Sequence, residues 1–422
     1  MGDPRGEPEG FRWGRVVSWS LYDFANSPYS TIMTTIGFPL FFMAVVMPGR
    51  TGPFQWGLLY GLSEVAAAAL SPGLGAWSDQ AGRRKPFLIT FSLLCIAGTA
   101  LCALLGPGDL VKAWLFFGLA NVGFACANVF YNALLVEVAP AGKTDTVSGI
   151  GWGTGYLGGL LGMLLVIPFY RDGASLGNMA NIHASFLLVA GAFLFFALPI
   201  FFMRERGARP SGRIGGLGQA YRQVWATLKA IRRFRNLFWF LLANFFFNDG
   251  LNTVIIFAGA YAKQVLRVRD KDIFLLFLYL NVVAAAGAYA LGWLADRFGS
   301  RRTLLVLVAL WALLCGGLAT VQTYTQFIVG AGFAGLMLGA TQSIARGFLA
   351  RLAPKEKEGE FFGFFGMAGK VAALIGPVLF GGVTSLTGSM RLGALSMAPL
   401  FFLGGFFLWK VREDGSQAGQ AP

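Results

Sequence analysis

Five ionisable side chains, Asp23, Glu64, Asp249, Arg346 and Lys370, sit inside long apolar stretches, and Glu137 lies near the end of another. Placing such a group at mid-bilayer costs on the order of 2.5–3.5 kcal/mol, so those present face a bundle interior or a wet cavity and serve function. At about 1.5 Å of rise per residue, Asp23 lies about 10 Å from the basic end of its stretch, Arg346 about 12 Å, Lys370 about 14 Å and Asp249 about 18 Å. Two acids and two bases thus share one slab. Amide side chains accompany them at helical spacing: Asn121, Asn128 and Asn132; Asn244, Asn248 and Asn252; Gln342 and Arg346. Each set forms a stripe on one helix face, suited either to a solute cavity or to interhelical hydrogen bonds worth about 0.6 kcal/mol each. In the cavity reading, Asp249, with Asp23 as second candidate, takes a coupling proton or sodium ion, and its occupancy switches with substrate or conformation. Lys370 is expected to neutralise Asp249. Arg346 has two candidate partners, Asp23 at comparable depth or a substrate anion; its planar fork favours a substrate carboxylate, held further by Asn248, Asn252 and Asn128.

The elements that carry these residues are transmembrane helices. Of the 422 residues 56% are hydrophobic and 13% charged, a composition that excludes an ordinary soluble chain. A span needs about 20 apolar residues to cross about 30 Å of hydrocarbon, satisfying its own backbone on the way. Twelve stretches qualify: 16–46, 55–77, 86–105, 111–138, 147–169, 182–203, 237–262, 273–294, 303–321, 325–352, 361–386 and 392–409. Residues 1–15 are polar and make a cytoplasmic N-terminus, not a cleavable signal. The connections that lie inside under this topology hold twenty-four Lys and Arg. The outer ones hold only Arg50, Lys112, Arg171, Lys263, Arg267, Arg269, Lys271 and Arg391. That asymmetry predicts both termini inside. The net charge of +14 then reads as topology and affinity for anionic lipid, not nucleic-acid binding.

A polar connection at 204–236, carrying nine basic residues, divides two bundles, 16–203 and 237–409; residues 410–422 form a cytoplasmic tail. Within the connection Leu217, Tyr221, Val224, Leu228 and Ile231 fall at helical spacing, which predicts an amphipathic helix on the inner membrane surface. The halves repeat each other. Asp23-x-x-Asn26-Ser27 returns as Asp249-x-x-Asn252-Thr253. A constant offset then matches Asn128 with Gln342, Asn132 with Arg346, Gly149 with Gly363, Gly155 with Gly369, Tyr156 with Lys370 and Gly162 with Gly376. Such repeats predict two six-helix bundles about a pseudo-two-fold axis. Cys95, Cys102, Cys126 and Cys315 lack metal-ligand spacing and read as packing residues; His183 reads as interfacial.

The loop Gly75-x-x-x-Asp79-x-x-Gly82-Arg83-Arg84 and its second copy, Gly292-x-x-x-Asp296-x-x-Gly299-x-Arg301-Arg302, resemble the signature of the major facilitator superfamily. Their expected role is a gate: small Gly75 lets two helices approach, and Asp79 accepts from a neighbouring helix N-terminus and pairs with Arg83. A finer resemblance is to the vacuole-effluxer-like (autophagy-22-like) family. It rests on Tyr22-Asp23-Phe24-Ala25-Asn26-Ser27, on Asn248-Asp249-Gly250 with Thr253, and on Gln342, Arg346, Pro354, Glu360-Phe361-Phe362-Gly363, Gly369-Lys370 and Gly376-Pro377. This resemblance implies a secondary transporter whose eukaryotic relatives export amino acids from the vacuole, with spans one, four, seven and ten lining the cavity.

The sequence thus points to an all-α membrane protein of twelve transmembrane helices, a monomer in a bacterial inner membrane surrounded by lipid. It moves a small polar solute, an amino acid or related metabolite, outward by proton-coupled or sodium-coupled alternating access. Drug or metabolite export, lysolipid flipping on the same fold, and a non-transporting receptor are the alternatives. No cofactor is expected, and no enzyme, because the polar segments hold no nucleophile constellation, phosphate loop or metal motif.

Overall fold

The computed structural model describes residues 12–205, 216–266, 270–372 and 375–412. Most of the N-terminal segment, the start of the connection between the bundles, Arg267 and Arg269 of the connection between spans seven and eight, and the tail beyond 412 lie outside the described residues. The described chain is helical throughout, with no strand.

Six spans precede the connection: span one, Trp13–Val46; two, Gly52–Ala81; three, Lys85–Leu104; four, Leu110–Val138; five, Thr144–Tyr170; six, Leu176–Phe202. Six follow it: seven, Arg235–Leu266; eight, Asp270–Phe298; nine, Ser300–Thr320; ten, Tyr324–Leu352; eleven, Glu358–Ala372 and Ile375–Thr387; twelve, Met390–Trp409. Eleven of these are long and apolar enough to cross a bilayer on composition alone. Span two has the length but carries Ser63, Glu64, Ser71, Ser78, Asp79 and Gln80; it packs along span eleven and leaves Phe54, Leu62 and Val65 exposed. Span one is interrupted by wider π-helical turns at Tyr29–Thr35 and Phe42–Val46, beginning after Pro28 and closely following Pro39, whose missing N–H groups break the regular ladder.

Between the bundles, span five lies against spans eight and ten, and span two against span eleven. Backbone approach is close there because glycines face backbone. A Cβ on Gly75 would meet the Gly359 carbonyl oxygen at 2.0 Å, and one on Gly149 would meet that of Ala288 at 2.3 Å. Large apolar side chains such as Phe202, Leu313, Val378 and Leu386 remain exposed on the perimeter, as a lipid-facing surface requires.

The connection contains a helix at Leu217–Lys229. Its buried face is Ala220, Val224 and Thr227, while Leu217, Tyr221, Trp225 and Leu228 are exposed. The expected stripe is therefore corrected. Val224 turns into the protein, Trp225 joins the outer face, and Ile231 lies beyond the helix in a short 3₁₀ turn. This helix touches protein on one side and exposes Leu217, Trp225 and Leu228 on the other.

Candidate functional site

Two reciprocal caps close one end of the molecule. The Asp79 carboxylate, at the end of span two, accepts from the backbone N–H groups of Gly359 (2.9 Å) and Glu360 (2.8 Å) in the first turn of span eleven. Asp296, at the end of span eight, accepts from the N–H groups of Asp145 (3.1 Å) and Thr146 (2.7 Å), and from the Thr146 hydroxyl (2.6 Å), at the start of span five. Each acid thus neutralises the positive N-terminus of a helix in the other bundle. Gly82 and Gly299, at φ +64° and +92°, make the sharp turns that follow. Gly292 lets span eight approach span five, since a Cβ there would meet the Asp145 carbonyl oxygen at 2.7 Å.

The cations of this gate differ from the expected ones. Arg83 is exposed, and the neighbouring Arg84 is the buried partner, 2.6 Å from Glu358 and 3.5 Å from both Asp79 and Glu137. Burial works against its guanidinium, yet those three carboxylates more than offset the loss and hold its pKa above the ordinary value. In the second copy, Arg301 donates to the carbonyls of Leu408 (3.4 Å) and Trp409 (2.6 Å), at the end of span twelve. The ion partner of Asp296 is instead Arg351 (3.4 Å), which also reaches Asp145 at 2.6 Å. A one-residue change in the azimuth of a turn selects which of two adjacent arginines points inward, and spacing does not specify it. Glu205, just beyond span six, accepts from the Arg84 N–H at 2.5 Å, and burial pushes its carboxyl pKa upward.

The linker helix ties this closure together. Gln80 of span two donates to Gln223 (2.8 Å), and Gln223 donates to Glu360 of span eleven (3.0 Å). Lys357 donates to Thr227 at 2.6 Å.

Deeper, Arg346 of span ten crosses into the first bundle. Its guanidinium donates to Asp23 (3.0 Å), Asn132 (3.2 Å), the Ser148 hydroxyl (2.9 Å) and the Ser148 carbonyl (2.8 Å). It stacks near the rings of Trp19, Tyr131 and Trp152 at 4.8, 5.5 and 5.4 Å. Asp23 also accepts from the Tyr131 hydroxyl at 2.9 Å. The expectation that Arg346 awaits a substrate carboxylate is corrected: in this conformation an internal carboxylate already holds that place.

Lys370 is likewise not the partner of Asp249. Its ammonium pairs with Glu64 of span two, whose other oxygen accepts from Asn121 at 2.7 Å. Asp249 is fully buried; one oxygen accepts from the Gly376 N–H at 2.9 Å and the other has no partner among the described residues. Of the remaining stripe residues, Asn26 donates to Asn128 at 3.5 Å, Asn248 lies against Gly369, and Asn252 is half-buried one turn from Asp249. Tyr22 is buried, bonded to Ser92 at 2.6 Å.

A cavity of about 400 Å³ lies beyond the gate, reaching Tyr261, Leu318 and Phe327 toward the far ends of spans seven, nine and ten. Of the residues singled out by spacing, Gln342 alone lines it. The others are Trp152 and Tyr156 of span five, Ser30 of span one, Asn281 of span eight, and an aliphatic and aromatic wall that includes Trp311 and Phe380. Tyr156 donates to Gln342 at 2.7 Å, and the buried Trp152 Nε1 has no partner. The sequence signal for Tyr156 was its repeat match with Lys370; nothing in spacing marked Trp152 or Ser30.

Comparison with known proteins follows the same lines. The profile of the family described as "Vacuole effluxer Atg22 like" matches residues 137–420, and that of the Major Facilitator Superfamily matches 7–163. An uncharacterized MFS-type transporter of Bacillus subtilis is 30% identical over 407 residues, covering 94% of this chain and 95% of that one. Autophagy-related protein 22-2 of Aspergillus oryzae is 26% identical over 310 residues, 65% of this chain and 51% of its own length. Among solved structures, the transporter FucP in its outward conformation superposes with a TM-score of 0.75 at 14% identity, over 95% of this chain and 98% of that one. A bacterial homologue of the iron transporter ferroportin in its outward-facing state gives 0.70 at 13–14%, over 94–95% of this chain and 98–99% of that one.

Proposed function

This chain belongs to the vacuole effluxer Atg22-like family of the major facilitator superfamily and is a secondary transporter, and from that premise we propose that it exports a small metabolite of amino-acid type by proton-coupled alternating access. The observation that carries this reading is the pairing of a doubly capped, closed gate end with a cavity that lies between the gate and the other end. That is one half of an alternating-access cycle, in which the bundles rock about a central site. With the basic gate loops on the cytoplasmic side, the conformation faces outward.

The lining narrows the solute. Among the described residues no ionisable side chain other than tyrosine lines the cavity, and its polar groups are Trp152, Tyr156, Gln342, Ser30 and Asn281. The Tyr156–Gln342 pair and the Ser30 hydroxyl suit a polar group on the solute, while the aliphatic and aromatic wall suits an apolar side chain. Asp249 is the proposed proton carrier. A buried carboxylate without a cation is costly, and the single N–H bond from Gly376 leaves its second oxygen for a proton. The same apolar wall also supports a second reading, export of an amphipathic drug or metabolite. Purified protein screened by thermal shift against amino acids, sugars, peptides and organic cations separates the two. Stabilisation by amino acids with apolar side chains, growing with ligand concentration, is expected. Stabilisation by organic cations alone would overturn the amino-acid reading.

A further inference from the structure

Spans two and eleven run antiparallel in a fixed register. Gly75 faces Gly359, and Gly363 faces Ser71 so closely that a Cβ on Gly363 would meet the Ser71 carbonyl oxygen at 2.5 Å. Continuing this register sets Glu64 opposite Lys370, about 16 Å along the helix from Gly75. Between these points the helices part. A Cβ on Gly366 would find only Val129 of span four within 4 Å, and one on Gly369 only Asn248 of span seven. The two helices therefore form a wedge, closed at the gate and open beyond it, and the gap is bridged by two long side chains that pair across it. Glu64 and Lys370 keep 22% and 19% of their side-chain surface exposed, and neither lines the cavity described above.

We propose that Glu64 is a second proton-binding site and that its proton and Lys370 are alternatives, so that the pair is a proton-operated strap between the bundles. This rests on the proton-coupled reading above and adds to it the step that converts proton binding into movement. A carboxylate at this depth needs one positive charge beside it. Lys370 supplies that charge from the opposite bundle, and a proton supplies it from the open side. Asn121 of span four holds the carboxyl in place in either case, donating to Oε1 and leaving Oε2 to the cation. The other titratable groups facing the pair are Tyr60 on the same helix, Tyr29 of span one and Cys126 of span four, all uncharged in their ordinary form at neutral pH. Lys370 is thus the charged neighbour of Glu64 among the described residues. Asp249 differs in kind: its hydrogen-bond partner, Gly376, belongs to its own bundle, so a proton there does not by itself release one bundle from the other.

The test uses spin labels at Phe54→Cys on span two and Leu386→Cys on span eleven, both exposed at the open end, with the buried native cysteines replaced. Distances are measured in lipid nanodiscs from roughly pH 8 to roughly pH 4, a range that takes in the ordinary carboxyl value. Wild-type protein should lengthen its mean label distance as pH falls. Glu64→Gln, which keeps shape and loses the charge, should sit at the long distance at every pH, and Lys370→Met should do the same from the other bundle. A pH-independent wild-type distance overturns the strap without any substitution at the pair, as does a Glu64→Gln variant that titrates like wild type. The distances require no transport. Proton-independent transport with pH-responsive distances would therefore sink the coupling reading and leave the strap, and the converse result would do the opposite.

Discussion

Arg346 and Asp23 are separated by 323 residues and meet at 3.0 Å, each supplying the charge that makes the other tolerable in the interior. Removing one member of a buried pair leaves the other uncompensated, a cost of about 3–5 kcal/mol. Arg346→Ala should therefore lower the melting temperature sharply and increase labelling of Ser71→Cys, which is buried where spans two and eleven touch near the gate. Arg346→Lys keeps the charge but loses the fork to Ser148 and Asn132 and should fall between. A wild-type melting curve for Arg346→Ala would show that the pair is dispensable. Asp249→Asn makes a different demand. It should abolish accumulation of solute against a gradient in proteoliposomes while exchange across equal concentrations survives. Undiminished accumulation would make Asp249 a packing residue.

At the scale of the element, the gate is helix capping carried out between bundles. A side-chain cap is worth about 1 kcal/mol, within a range of roughly 0.5–2. Asp79→Ala should raise the rate of Ser71→Cys labelling several-fold, and Arg84→Ala should raise it more, because three carboxylates lose their cation. Arg83→Ala, at an exposed position, should leave it unchanged. Equal effects of the two arginine substitutions would contradict the assignment of Arg84. The linker helix belongs to the same closure through Gln223, which bonds to both bundles. Gln223→Ala should therefore shift labelling in the same direction by a smaller factor, and no shift would mean that the helix merely covers the gate.

For the whole molecule, the two caps are related by the internal repeat and hold the same equilibrium. Each contributes about 1 kcal/mol in favour of the closed gate, so one substitution should multiply the open population about five-fold, and Asp79→Ala with Asp296→Ala about thirty-fold. Labelling rates that fail to multiply would show that one cap alone governs opening.

Local pattern alone determined much of this molecule. Apolar run length set the spans, and the polar residues Ser71, Ser78, Asp79 and Gln80 of span two fall on its buried end, where it meets span eleven. The repeated Gly-x-x-x-Asp loops marked both caps, and the fixed offset matched Gly149 with Gly363, glycines that do stand at equivalent close contacts, one against span eight and one against span two. These are properties of a helix and its immediate neighbours in sequence. The partners of the charged groups were not legible in that way. Depth estimates placed Lys370 near Asp249 and left open whether Arg346 met Asp23 or a solute, because depth along a helix says nothing about the direction a side chain takes around it. The azimuth depends on which helix lies alongside, and that is decided by contacts between residues hundreds of positions apart. Thus Asn121 and Asn132 serve Glu64 and Arg346 and do not line the cavity, while Trp152 and Ser30, unmarked by any spacing, do. Only the packing of one bundle on the other turned a list of buried charges into two ion pairs and one carboxyl left without a cation.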